Sequence, residues 1–198
     1  MEKMIFVING KAGSGKDTFV EYIDRIGYNA ISISTVDVIK QAAALLGWDG
    51  VKTPEARKFL SDLKDLSTQF NEFPYKDACK RAKSTNCEYV FIHCREPEEI
   101  DKIKKELNCL SVYIDRDVPG CDTNHADINV INYKYDIVVD NNGTVDDLCI
   151  AAKAFIGNAK GINDSKLEEY QTKYLYIKKD EYNNIISSME RKDDQKLR

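Results

Sequence analysis

Met4-Ile5-Phe6-Val7-Ile8-Asn9 followed by Gly10-Lys11-Ala12-Gly13-Ser14-Gly15-Lys16-Asp17-Thr18 is the stretch that decides the fold. The first six residues are an apolar run of the kind that a parallel sheet covers on both faces. Gly10 and Gly15 stand five apart with Lys16 directly after the second, which is the spacing of a phosphate-binding loop. Phe19, Val20, Ile23 and Ile26 then recur at the spacing of one helix face. The order is therefore strand, glycine-rich turn, helix.

Polyphosphate binding needs this order because main-chain N–H groups must come close to the anion. Gly10, Gly13 and Gly15 remove the Cβ atoms that would block that approach. A helix beginning near Lys16 adds the positive end of its dipole, and the lysine reaches the terminal phosphates, where charge moves during transfer. Asp17 stands where Ser or Thr commonly offers a hydroxyl to Mg²⁺, and a hydroxyl follows one place later at Thr18. Asp17 is thus expected to approach the metal directly or through water, and Thr18 to bond an inner phosphate.

A chain of 198 residues is enough for one well-buried α/β core and a tail. A formal net charge of −4 offers no general attraction to nucleic acid polymers or to anionic membranes. The six cysteines (Cys79, Cys87, Cys94, Cys109, Cys121 and Cys149) form no CxxC pair and no ligand-like group with His93 or His125. They are expected to be reduced thiols of a cytoplasmic protein rather than zinc ligands or disulfides. No charged leader with an apolar segment and no run of eighteen apolar residues is visible, so no membrane association is expected.

Further along, 29–33 is a short candidate strand. Ser34 and Thr35 can cap a helix carrying Val38, Ile39, Ala42, Ala43, Leu45 and Leu46, ended by Gly47. Thr53-Pro54 opens another helix, with Ala56, Phe59, Leu60, Leu63 and Leu66 on its inner face and with Lys52 and Arg57 flanking its start. A helix over 74–83, a strand over 87–94, a helix from Pro97 and strands over 110–114 and 135–139 follow. Thr144 with Asp147 resembles a capping box before Val145, Leu148, Ala152 and Phe155. Residues 115–132 show no hydrophobic period and have the length of a lid. Strands alternating with helices at this rhythm predict a three-layer α/β fold, a five-stranded parallel sheet with helices on both faces. Residues 1–157 would be the core domain and 158–198 a charged extension. In that tail Leu167, Tyr170, Tyr174 and Ile177 keep helical spacing, and 182–189 is a second candidate helix.

Ligands of open α/β sheets bind at the carboxyl ends of the strands. Arg95 directly follows one strand and Arg116 nearly follows another, so both are expected to face the phosphate crevice. Two arginines beside a glycine loop suit phosphoryl transfer.

These features resemble the nucleoside monophosphate kinase group of phosphate-loop (P-loop) proteins, and within it the deoxynucleoside monophosphate kinases typical of bacteriophages. The resemblance covers roughly residues 4–157. It rests on the Gly15-Lys16-Asp17-Thr18 loop ending, on Arg95-Glu96-Pro97-Glu98-Glu99-Ile100, on Arg116, on Asn124-His125 in the lid, and on the closing strand, turn and acidic helix over 135–148. Animal-type phosphomevalonate kinases share the loop ending and the Asn-His lid. The resemblance implies a P-loop kinase fold using ATP and Mg²⁺. Gly10, Ala12, Gly13, Ser14, Gly15, Lys16, Asp17 and Thr18 would bind ATP. Lys16, Arg95 and Arg116 would act on the transferring group, and Lys52, Arg57, Arg95 and His125 would hold the acceptor. The partners implied are small-molecule nucleotides, and a homodimer is left open. Two departures stand out: His93 occupies the place of the family's aspartate two residues before the strand-end arginine, and Ala126-Asp127 replaces a Ser/Thr-Glu pair in the lid.

Overall fold

The computed structural model describes residues 3–117, 133–161 and 165–177, with backbone alone at 165–167 and 176–177. In chain order the elements are β1 (Met4–Asn9), α1 (Lys16–Arg25), β2 (Ala30–Ser34), α2 (Asp37–Leu45), α3 (Pro54–Asn71), α4 (Phe73–Ser84) and β3 (Tyr89–His93). They continue with α5 (Pro97–Leu107), β4 (Leu110–Asp115), β5 (Ile137–Asp140), α6 (Val145–Ala159), α7 (Ser165–Tyr174) and β6 (Leu175–Ile177).

The sheet runs β2-β3-β1-β4-β5-β6. The first five are parallel, as the alternation of strands and helices predicts; β6 joins antiparallel to β5, pairing Val139 with Leu175. β1 lies between β3 and β4, so Phe6 to Asn9 are all buried and the apolar run is covered on both faces. Side chains alternate across the sheet. Phe6 and Ile8 join Phe19, Ile23, Phe91 and Phe155 in the layer under α1 and α6, with Phe6 and Phe155 rings 4.9 Å apart and edge-on. Val7, Val90 and Ile92 join Ala78, Cys79, Ile100 and Ile103 in the layer under α4 and α5. The result is the three-layer α/β fold.

Element ends follow local chemistry. Thr53 caps α3 by accepting from the Ala56 N–H at 3.1 Å, with Pro54 in the first turn. α5 starts at Pro97 and stops at Asn108, whose φ of 47° is left-handed. Thr144 and Asp147 form the expected capping box, and Tyr174 at the end of α7 donates to the other Asp147 oxygen at 2.5 Å. Those bonds, from the Thr144 side chain first and then from Tyr174 and the Thr144 N–H, hold the Asp147 carboxyl at about 2, below its ordinary 3.8. A depressed carboxylate contributes stability that is complete above its unfolded value and fades as pH falls through its folded one. Asp147→Asn should therefore lower the melting temperature at neutral pH. Thermal melts should show the gap to the wild type closing between about pH 4 and pH 2; a gap constant over that range would refute the linkage.

Three expectations change. The cap of α2 is Val36, with no side-chain cap bond; Asp37 instead accepts from the Ser34 N–H at 2.8 Å. Leu45 and Leu46, read as part of the apolar pattern of that helix, are 90 % and 68 % exposed. α3 has no fully buried residue: Ala56, Leu60 and Leu63 are half-buried, but Phe59 and Leu66 are exposed. The physical reason is that α3 packs mainly on α2 and α4. The tail does fold back as helix α7 against α6, yet the chain turns into β6 before Ile177, and Tyr174 and Leu175 enter the core. The lid beyond Asp117 and the helix expected over 182–189 lie outside the described residues.

Candidate functional site

β1 ends at Asn9, and the loop that follows is held by its own backbone and by β5. Gly10 has φ +152°, and a Cβ there would meet Ser14 Oγ at 2.5 Å and the Ile114 carbonyl at 2.7 Å. Gly15 has φ +91°, and a Cβ there would sit 2.6 Å from Asn141 Nδ2. Both positions thus require glycine on conformation and on space. Buried Asn9 accepts from the Gly10 N–H through Oδ1 at 2.8 Å, and the Ser14 N–H donates to the Lys11 carbonyl at 3.1 Å. Asn141, directly after β5 and 2 % exposed, donates through Nδ2 to the Ser14 carbonyl at 2.8 Å, while its own N–H donates to the Asp115 carbonyl at 2.8 Å. Asn141 therefore ties the loop to the ends of β4 and β5. It read as an ordinary turn residue in the sequence, since its partner is 127 positions away.

α1 starts at Lys16 with Gly15 as its cap, which brings no side-chain cap bond to the first turn. Such an end offers an anion both hydrogen bonds and a favourable dipole. Lys16 Nζ folds over the same loop, donating to the Gly10 and Lys11 carbonyls at 2.7 Å each, with Ser14 Oγ 3.4 Å away. Asp17 and Thr18 are exposed beside it.

β3 and β4 flank β1, with His93 in register with Ile8 and Tyr113 with Asn9. The Cys94 N–H donates to the Ile8 carbonyl at 3.4 Å. Arg95 and Arg116 therefore leave the carboxyl edge of the sheet on either side of the loop, and both are exposed. Lys52 and Arg57 are exposed on the α2–α3 arm, and the described contacts do not bring them to the loop. His125 lies outside the described residues.

His93 closes the crevice on the β3 side. Its Nε2 is 3.1 Å from Ser32 Oγ and 3.7 Å from Asp17 Oδ1. Burial and the nearby Lys16 ammonium push the imidazole below its ordinary pKa, against the opposing pull of Asp17.

Two further clusters surround the crevice. Glu99, buried at the start of α5, receives Lys64 Nζ from α3 at 2.9 Å and the Cys94 thiol at 3.3 Å. Burial, then the Glu99 carboxylate, push that thiol well above its ordinary value, which excludes Cys94 as a ready nucleophile. The Lys64–Glu99 pair ties the arm to the sheet. Arg81 donates to the Ser34 carbonyl at 2.9 Å and pairs with Asp37 at 3.2 Å and Asp77 at 2.8 Å, pinning the exit of β2. The Lys64–Glu99 and Arg81–Asp37 pairs join residues 35 and 44 positions apart and had no local signature. Cys79, Cys87, Cys94, Cys109 and Cys149 are free thiols.

Among the described residues no group of three or more His, Cys, Asp and Glu side chains is gathered to hold a metal by itself. The donor that could hold Mg²⁺ beside a bound phosphate chain is the Asp17 carboxylate, 84 % exposed and so available. Mg²⁺ bound through one carboxylate, phosphate oxygens and water fits that single donor. No helix among the described residues is long and apolar enough to cross a membrane.

No family model matches the chain, and no curated protein matches it in sequence. Solved structures do match. TT1252 from Thermus thermophilus is 13 % identical, with 83 % of this chain and 100 % of that chain covered and a TM-score of 0.45. A gluconokinase from Sinorhizobium meliloti 1021 is 15 % identical, with 79 % and 93 % covered and a TM-score of 0.46. The Mycobacterium tuberculosis APS kinase CysC, in complex with AMPPNP and APS, is 13 % identical, with 80 % and 98 % covered and a TM-score of 0.41. At such identities and scores the acceptors of those proteins say nothing about the acceptor of this one.

Proposed function

We propose that the chain is an ATP-dependent kinase that moves the γ-phosphoryl group to a (deoxy)nucleoside 5′-monophosphate, giving the diphosphate. The observation that carries this reading is a lysine-bearing glycine loop at the tip of β1 with arginines at the tips of both neighbouring strands. In this reading the loop from Gly10 to Thr18 grips ATP, Asp17 approaches Mg²⁺, Arg95 and Arg57 hold the acceptor's phosphate with Lys52 and His125 nearby, and Arg116 neutralises the transferring group. The acceptor oxygen is already anionic at neutral pH, so positioning and charge neutralisation supply the rate without a general base. Residues 1–157 carry the reaction and 158–198 are an extension, of which α7 packs on α6 and β6 completes the sheet edge.

A panel of nucleoside and deoxynucleoside monophosphates incubated with ATP and Mg²⁺ tests the reading, and no diphosphate from any of them would end it. Arg95→Ala should raise KM for the acceptor by about 10- to 100-fold, the worth of a charge-assisted hydrogen bond, with KM for ATP nearly unchanged. Equal loss for both substrates would take the acceptor role from Arg95. A second reading, another small phosphate ester as acceptor, would show itself as turnover with that ester alone. A third, a nucleotide-binding regulator weak in catalysis, draws on His93 beside Asp17 and would give nucleotide binding without turnover.

A further inference from the structure

We propose that the buried Lys64–Glu99 pair is a positioning device for the acceptor: it holds α3 at the start of α5 so that Arg57 stands opposite Arg95 across one phosphate. The proposal rests on the kinase reading above and goes beyond it in naming two residues that set the acceptor site without touching the acceptor.

α3 has no fully buried residue, so apolar packing alone fixes it weakly. Ion pairs to α5 add to that packing. Glu72, the C-terminal cap of α3, pairs with Lys102 at 2.5 Å, but these side chains are 40 % and 47 % exposed. Lys64, eight residues earlier, pairs with Glu99 in the first turn of α5 at 2.9 Å, with only 15 % and 8 % of the side chains exposed. An exposed pair contributes little, whereas a buried one is costly to break, so the inner pair sets the position. On the α5 side Glu99 is held in place, since it also accepts from the Cys94 thiol at 3.3 Å and lies at the positive end of the helix dipole. Lys64 is the arm's half of the contact.

The two contacts also give α3 its direction. Passing from Glu72 back to Lys64 leads from Lys102 back to Glu99, so the earlier part of α3 runs on past the start of α5. Arg95 stands just before that start. Arg57 precedes Lys64 by seven residues, which is two turns on the same helix face and about 10 Å along the axis. Both arginines are exposed, and like charges on converging elements repel until an anion lies between them. Lys64 and Glu99 hold the arm against that repulsion and leave the two arginines ready for a phosphate, whose oxygens suit the guanidinium fork.

The experiment uses the full chain with ATP, Mg²⁺ and the monophosphates of the panel above that are turned over. Lys64→Met keeps the apolar stem but not the charge. It should raise KM for the acceptor about tenfold, with KM for ATP within about twofold of wild type. Lys64→Arg should recover most of that loss. Arg57→Ala should raise the same KM, and adding Lys64→Met to it should cost little more, because the lysine acts through the arginine. Lys102→Ala, which breaks the exposed pair, should leave both KM values near wild type. Equal losses for acceptor and ATP, or losses at Lys64 and Arg57 that multiply in full, overturn the proposal. If Lys64→Met does not fold, Glu99→Gln takes its place with the same expectations. An unchanged acceptor KM in a variant that still phosphorylates the monophosphate overturns the proposal and leaves the kinase reading standing. If the wild type converts no monophosphate, both fall.

Discussion

Lys16→Ala is expected to lower kcat/KM about a thousandfold while leaving the melting temperature nearly unchanged. The magnitude is that of removing one preorganised charge from a site where charge develops in the transition state. The ammonium is held over the loop by the Gly10 and Lys11 carbonyls at 2.7 Å, and both are loop groups that water can satisfy once the side chain is gone. The framework of the loop depends instead on Asn9, Asn141 and the Ser14 N–H, none of which the substitution touches. Steady-state kinetics and a thermal melt on the same preparation check both halves. A loss below tenfold would remove the lysine from the reaction, and a large fall in melting temperature would make its role structural.

Asp136→Ala should produce the largest loss of stability, about 3 kcal/mol. Asp136 is 2 % exposed just before β5 and accepts from the Ser111 N–H and hydroxyl at 2.7 Å each, and from Lys104 Nζ at 2.7 Å. Removing the carboxylate leaves a buried N–H and hydroxyl on β4 without this acceptor and uncouples an ammonium on α5 from its charge. Lys104 is 23 % exposed and can turn partly toward water, which keeps the cost at the lower end for a broken buried pair. Asp136→Asn, which keeps an acceptor but not the charge, should lie between Ala and wild type. Urea unfolding with an unchanged slope is the measurement, and a cost below about 1 kcal/mol would show that the network contributes little.

In the kinase reading this network would act on the loop indirectly. β4 and β5 end at Asp115 and Asp140, and the Asn141 that supports the loop is anchored between them. A partial loosening of β4 against β5 in Asp136→Asn would therefore reach the loop through Asn141. The kinase reading predicts that nucleotide affinity suffers there more than acceptor affinity.

The stretch from Met4 to Thr18 fixed the strand, the turn and the helix by itself, because each depends on neighbours within a few residues. An apolar run, glycines where a Cβ cannot fit and a helix face at regular spacing are local facts. The same holds for the Thr53-Pro54 start and the Thr144–Asp147 capping box, both found where the sequence put them. The order of strands and helices was enough to predict five parallel strands, since parallel neighbours need the crossovers that the intervening helices supply. Helical periodicity, however, says only that a helix has an apolar face, not that anything covers it. α3 and the end of α2 kept the pattern and stayed exposed because they stand on an arm beside the sheet. Tyr174 and Leu175 looked like part of a charged tail, yet a strand edge left open by β5 gave them a place in the core. The pairs that shape the crevice, Asn141 with Ser14, His93 with Asp17 and Glu99 with Lys64, join residues between 35 and 127 positions apart. Asp17 and His93 stand out singly in the sequence, but nothing there pairs them, and only the folding of the chain makes the members of each pair neighbours.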